Sequence, residues 1–287
     1  MKYAFIRKQR SFHSTERLCR VLEVSTSSYY DWCIRGPSKH AQRDQELVTM
    51  IKDSHTRSHR IYGSPRVFDD LKSDGEKVSR KRVARLMREE KLVARCVKAF
   101  KRTTVSDPTL PVAANLLQQN FTATEPNQKW VSDITYIKTD QGWLYLAAVM
   151  DLYSRAIVGW SMDKHMTEEL VAAALNMALA NRTKTRGLVL HSDRGSQYCS
   201  HNYQTLLSES KITCSMSGTG NCYDNAAMES FFHSLKTEWV HHYRYDNRDT
   251  AKSSIFEYIE VFYNRQRRHS YSNRMPPMMF EAMAKAA

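Results

Sequence analysis

Residues 130–163, WVSDITYIKTDQGWLYLAAVMDLYSRAIVGWSMD, decide the fold. The run Trp130 to Ile137 is rich in β-branched and aromatic residues, which suit a pleated, half-buried strand. Asp140-Gln141-Gly142 supplies a hairpin turn. Trp143 to Met150 is a second strand, and its apolar run predicts a central place in a sheet. Asp151 to Arg155 turns the chain into a third strand, Ala156 to Ser161. Further on, Thr167 predicts a helix start, with Glu168 and Glu169 in the first turn where the helix dipole favours acids. That helix runs to about Asn181. Gly187 to His191 reads as a short fourth strand, followed by a helix near 201–209, a fifth strand near 211–216 and a helical segment from Asn225.

Three antiparallel strands followed by alternating helices and strands is the RNase H-like arrangement, an α/β fold. We assign it to residues 127–287. The front of the chain has a different texture. Residues 1–40 contain a short helix pair, with Leu18, Val21 and Leu22 as its apolar stripe, a turn at Glu23-Val24, and Ser25 or Thr26 capping the second helix. Gly36-Pro37 ends it, giving the outline of a helix-turn-helix. Residues 41–103 form a second helical unit, broken at Tyr62-Gly63-Ser64-Pro65 and turned again at Ser73-Asp74-Gly75. Residues 104–126, with Asp107-Pro108, Pro111 and Glu125-Pro126, read as a linker.

Charge separates the two halves. The chain of 287 residues carries a net +13, and residues 1–105 hold 25 Lys and Arg against 12 Asp and Glu, whereas residues 106–287 hold 18 of each. A surplus confined to the front points to a polyanionic partner bound there. Ser79 caps a helix with Val83, Leu86 and Met87 inside and Arg80, Lys81, Arg82, Arg85 and Arg88 largely outside. A basic helix after a tight turn suits a DNA groove or the phosphates beside it.

Three carboxylates stand out by position. Asp133 lies within the first strand and Asp193 directly follows the fourth, and in this sheet those strands are neighbours. Glu229 lies on a helix whose apolar face is Met228, Phe232, Leu235 and Trp239, while Asn225, Glu229, His233 and Lys236 share another face. Mg²⁺ prefers hard oxygen ligands and binds through carboxylates together with phosphate oxygens. A pair of such ions can clamp an in-line phosphoryl displacement. Mn²⁺ is expected to substitute.

Trp130 to Ile137, His191 to Tyr198 and Asn225 to Glu238 together resemble the catalytic blocks of bacterial insertion-sequence transposases related to retroviral integrases. The nearest likeness is to the downstream-frame protein (OrfB) of the insertion sequence three family. That family uses two aspartates and a glutamate with thirty-five residues between the last two, and residues 194–228 number thirty-five. It also places a basic residue seven beyond the glutamate, which Lys236 matches. Tyr263-Asn264-Arg265-Gln266-Arg267-Arg268-His269-Ser270, then Pro276-Pro277 and Phe280, resemble its C-terminal signature. Tyr62-Gly63-Ser64-Pro65-Arg66 resembles its front end. Tyr271-Ser272-Asn273-Arg274 departs from the family's glycine-containing stretch.

The resemblance implies a DNA transposase with Asp133, Asp193 and Glu229 as catalytic metal ligands. It would cleave at terminal inverted repeats and direct a 3′-hydroxyl at target DNA. Arg80, Lys81, Arg82, Arg85, Gln197, Tyr198, Lys236, Arg265, Arg267 and Arg268 are the expected DNA contacts. The implied partners are double-stranded DNA, further copies of the chain assembled on it, and an upstream-frame protein or fusion. An integrase of a retroelement is the rival within this chemistry, and the missing zinc-binding histidine and cysteine set argues against it. A non-catalytic DNA-binding regulator is the rival outside it, and the intact carboxylate set argues against that. His55 and His59 have a metal-like spacing, but only Cys96 follows at a plausible distance. No Cys-x-x-Cys pair, leader or long apolar run is visible, so a cytoplasmic, nucleoid-associated protein with reduced thiols is expected and no membrane partner is.

Overall fold

The computed structural model describes residues 1–95, 113–183, 187–218 and 225–286. Cys96, Asp107-Pro108 and Pro111, singled out in the sequence, lie outside them, as do Thr219-Gly220, Cys222 and Asp224. Five strands form one sheet: β1 (Lys129–Thr139), β2 (Gly142–Asp151), β3 (Ile157–Asp163), β4 (Val189–Ser192) and β5 (Thr213–Met216). Their order is β3-β2-β1-β4-β5. The first three pair antiparallel, while β4 joins β1 and β5 joins β4 in parallel. Gly142 turns the β1–β2 hairpin at φ 104°, a left-handed conformation that costs a residue without Cβ little. This is the α/β, RNase H-like sheet that the strand pattern predicts, with a helical region ahead of it.

Each face of the sheet is covered, and strand alternation divides the residues. Val131, Ile137, Leu146, Ala148 and Met150 face α10 (Ala226–Ser234) and α11 (Arg248–Phe256). Trp130, Ala147, Val149 and Leu190 face α7 (Glu168–Asn181), α8 (Ser196–Cys199) and α9 (His201–Glu209). Helix α7 approaches β3 closely at Gly159. A Cβ there would lie 2.2 Å from the Ala174 carbonyl oxygen and 2.6 Å from the Ala178 nitrogen, both backbone atoms. Gly159→Ala is therefore expected to push α7 off the sheet and destabilise the protein by about 1–3 kcal/mol, as overpacking does. Chemical denaturation checks this, and an unchanged midpoint would show that α7 can yield.

The front of the chain holds two helical units. In the first, α1 (Lys2–Gln9), α2 (Thr15–Val21) and α3 (Thr26–Ile34) enclose a small core of Ile6, Leu18, Cys19 and Tyr29. The sequence reading missed α1, because Lys2–Gln9 is mostly basic and aromatic and buries only Ile6. It also placed Val21 on the inner stripe, whereas Val21 is exposed and Ile6 takes that role. Ser25 caps α3 by accepting the Ser28 N–H.

In the second unit, α4 (Lys39–Arg57), α5 (Ser64–Ser73) and α6 (Arg80–Glu89) pack through Leu47, Ile51, Val67, Leu71, Val83 and Leu86. This core is continuous with that beneath one face of the sheet, so the unit is docked on the catalytic fold. The described part of the expected linker is likewise packed. Leu117 is buried, the Leu116 N–H donates to Ser215 Oγ at 2.9 Å, and Lys129 Nζ ties the Asn120 and Thr122 carbonyls to β1. Among the described residues no helix is long and apolar enough to cross a membrane.

Candidate active site

The parallel pairing of β1 with β4 puts Val131 opposite His191. Two residues further along each strand stand Asp133 and Asp193, at the sheet end where β4 stops. Asp133 shares its strand face with Val131 and Ile137 and so looks toward α10. Its Oδ1 accepts the Ile134 N–H at 2.7 Å. Asp193 Oδ1 accepts the Gly195 N–H at 2.9 Å, which fixes the loop after β4. Burial pushes the Asp133 carboxyl well above the usual carboxylate range, and the charges of Asp193 and Glu229 push it further. The Ile134 N–H and Lys236 oppose this. Burial also raises Asp193, against the Gly195 N–H. Two carboxylates are thus held together in a partly dehydrated place where neither ionises easily.

Helix α10 brings the third. Its start is pinned by Asn225, whose side-chain amide donates to the Ser132 carbonyl at 3.3 Å, one residue before Asp133. Met228, Phe232, Leu235 and Trp239 are buried, and Glu229 and His233 are exposed on the opposite side. From Leu235 to Trp239 the helix widens into a π-helical turn, a feature found often at functional sites. Lys236 sits in it, half-buried, with its ammonium 4.7 Å from the Tyr136 ring centre. Burial lowers the Lys236 pKa while Asp133 raises it. Among the described residues no three Asp, Glu, His or Cys side chains converge into a ready-made metal cage. The donor set nonetheless fits a hard divalent cation, because a half-buried, mutually repelling carboxylate pair is relieved by one.

Other sequence-selected residues are engaged within the fold. Tyr198 is not exposed to a DNA strand. It is buried, its hydroxyl is 2.9 Å from Ser132 Oγ, and the Asp133 and Asp193 charges help burial raise its pKa. Gln197 is half-buried and donates to the Met166 carbonyl at 3.0 Å. His191 bridges Ser215 and Ser217 at 2.8 and 3.1 Å, tying β4 to β5. Asp151 accepts the Asn127 and Tyr153 N–H groups and is wholly buried, as a turn residue would be. Sequence reasoning put Asn225 on the face of Glu229 but missed its positioning role. It stands where a helix cap belongs, but its amide is used on β1 and makes no capping bond.

The arginines divide into two sets. Arg80, Lys81, Arg88 and Arg265 are exposed. Arg82 and Arg85 are instead held by Asp44 of α4, each at 2.7 Å. Arg267 is buried, and its guanidinium donates to both Glu238 oxygens at 2.6 Å, so it is unavailable to a phosphate. Arg268 pairs with Asp70 of α5 at 2.5 Å and Arg274 with Asp69 at 2.8 Å. Tyr62 donates its hydroxyl to the Gln266 carbonyl and accepts the Arg268 N–H, each at 2.9 Å. The two signature stretches, Tyr62–Arg66 and Tyr263–Ser270, are therefore one interface. In the tail, Asn273 and Arg274 have φ 49° and 61°, conformations that glycine would adopt more readily. His55 Nε2 lies 3.2 Å from the Val93 carbonyl oxygen, and His59 packs on the Trp239 ring.

Integrase core domain models match residues 123–222 and 229–284, and an HTH-like domain model matches residues 42–100, the second helical unit. Transposase InsF for insertion sequence IS3A of Escherichia coli is 45% identical over 283 residues, covering 98% of each chain. The insertion element IS600 31 kDa protein of Shigella sonnei is 48% identical over 263 residues, covering 92% of this chain and 97% of that one. Among solved structures, the HTLV-2 integrase catalytic core domain in complex with magnesium is similar with a TM-score of 0.44 and 18% identity, covering 56% of this chain and 99% of that one. Relatedness this high over nearly the full length of both chains means that the protein belongs to the IS3 family of insertion-sequence transposases.

Proposed function

We propose that this transposase cuts DNA at the terminal inverted repeats of its element and joins the freed 3′-hydroxyl to target DNA. The observation that carries the reading is the half-buried Asp133–Asp193 pair, with Glu229 and Lys236 approaching it from α10. Asp133, Asp193 and Glu229 would hold Mg²⁺, in one or two copies, and bound magnesium supplies charge stabilisation for an in-line phosphoryl displacement. The chain's own part is to hold Asp133 and Asp193 side by side, to carry Glu229 toward them on α10, to keep the aspartate pair partly shielded from water, and to set the Lys236 ammonium beside the strand. No side chain is needed as a covalent nucleophile, because water or a 3′-hydroxyl attacks. The deciding test incubates purified protein with labelled candidate terminal repeats and Mg²⁺ or Mn²⁺, with and without the upstream-frame product. Absence of cleavage in every arm would remove the assignment.

Duplex DNA would lie along the exposed cations Arg80 and Lys81 at the start of α6, with Arg265, Gln197 and Lys236 nearer the chemistry. Residues at the start of a second helix are those that reach base edges in helix-turn-helix proteins. Arg80→Glu with Lys81→Glu is expected to weaken binding to all duplexes and to lower the slope of log affinity against log salt by about two. Fluorescence anisotropy over a salt series checks this, and an unchanged slope would move the contact elsewhere. Copies of the chain would assemble on paired ends, and an upstream-frame protein would add end recognition.

A further inference from the structure

A cavity of about 360 Å³ lies beside the catalytic helix, on the face next to Glu229. Ser230 and Ser234 of α10 form one wall. Arg66 of α5, Arg155 of the β2–β3 turn, and Ser270 and Tyr271 of the tail form the others. Its charge is out of balance. Arg66 and Arg267 share the carboxylate of Glu238, at 3.3 and 2.6 Å. Arg155 makes no ion pair among the described residues. Its guanidinium donates to the Phe121 carbonyl at 3.3 Å and lies 4.2 Å from the Tyr271 ring centre. Asp151, whose charge reaches Arg155, already uses both oxygens on backbone N–H groups. Burial disfavours the Arg155 charge. A partly dehydrated guanidinium whose nearest negative charge, Asp151, makes no direct ion pair with it is under-compensated in the free protein and is relieved when a ligand brings an anion. The donors around it, a guanidinium fork and the exposed hydroxyls of Ser230 and Ser270, match the oxygens of a phosphate.

We infer that this cavity between the tail, α5 and α10 binds a backbone phosphate of the same DNA that is cut at Asp133, Asp193 and Glu229. The inference rests on the DNA-cleaving reading above. Because Arg66 comes from the HTH-like unit and Arg155 from the sheet, the same phosphate would bridge the two parts of the protein.

The test uses the full chain and the variants Arg155→Met and Ser270→Asp. Binding to a duplex carrying the terminal repeat is followed over a salt series, beside thermal melting with and without inorganic phosphate. Arg155→Met is expected to weaken DNA binding roughly tenfold and to flatten the salt slope by about one. Its Tm should stay unchanged or rise, since a partly dehydrated charge without a direct ion pair is removed. Ser270→Asp, which places a negative charge at an exposed position, is expected to weaken binding as well, and it carries the test if Arg155→Met melts early. An unchanged slope in both variants, while wild-type protein still binds and cleaves DNA, would overturn the pocket and leave the function standing. So would a phosphate-dependent rise in Tm lost in Arg155→Met without any change in DNA binding, because the pocket would then serve small phosphates. Failure of the wild-type protein to bind or cleave would instead sink the underlying reading.

Discussion

Asp133→Asn, Asp193→Asn and Glu229→Gln are each expected to reduce end cleavage and strand transfer by about a thousandfold or more, the scale seen when one member of a group acting as a unit is removed. The aspartate variants carry a second signature. The Asp133 carboxyl is raised well above its unfolded value by burial, with the charges of Asp193 and Glu229 adding to the shift. An acid raised in this way holds its proton longer in the folded state than in the unfolded one. Its ionisation therefore erodes stability as pH climbs from the ordinary aspartate value of about 3.9 through the folded value. Asn at 133 cannot ionise, so without added metal at neutral pH this variant is expected to melt no lower than wild type, and to melt higher if Asp133 is charged there. Added Mg²⁺ is expected to raise the Tm of wild type by binding only the folded form, and to do so less or not at all in Asp133→Asn. Cleavage assays and melting curves on the same preparations check all of this. Near-normal cleavage would take the substituted residue out of the site, and a large fall in Tm would show that the side chain serves the fold instead.

Arg267→Ala is expected to destabilise the protein by about 3–5 kcal/mol, the cost of leaving a buried partner charge uncompensated, and to lower the Tm by on the order of 10 °C. The sequence suggested another role, an arginine in contact with DNA. The structure puts Arg267 at 6% exposure against Glu238 at 8%, with Ser234 also accepting from it at 3.1 Å. Burial alone would push the Glu238 carboxyl up, but Arg267 and Arg66 hold it below the usual range. A lowered acid contributes stability that is fully present above its unfolded value and is lost as pH falls through the folded value. The gap between wild type and Arg267→Ala is therefore expected to narrow below about pH 4. Arg267→Met combined with Glu238→Gln removes both charges and is expected to recover much of the loss. The salt slope of DNA binding should stay unchanged in the folded fraction. A normal Tm with a flattened slope would return Arg267 to the DNA interface.

These two outcomes mark the boundary of what could be read from the chain alone. Strand alternation at Trp130 to Ile137, the apolar run of β2, the Gly142 turn and the stripe Met228, Phe232, Leu235 and Trp239 are local signals, because each residue's neighbours along the element reveal its face. With the strand order they also bring Asp133 and Asp193 together, and the thirty-five residues before Glu229 carry the family resemblance. The likeness of Arg265, Arg267 and Arg268 in the sequence concealed three different situations. Arg265 is exposed, Arg267 is neutralised by Glu238, 29 residues earlier, and Arg268 is held by Asp70, 198 residues earlier. In the same way Asp44, on another helix, claims Arg82 and Arg85 while Arg80 and Lys81 stay exposed. Periodicity reports which face of an element is apolar, and the sequence determined that much. Whether a charged side chain meets solvent or a distant carboxylate depends on which elements pack together. Only the tertiary structure decided it, because the carboxylates that claim Arg267 and Arg268 lie on elements far from them in sequence.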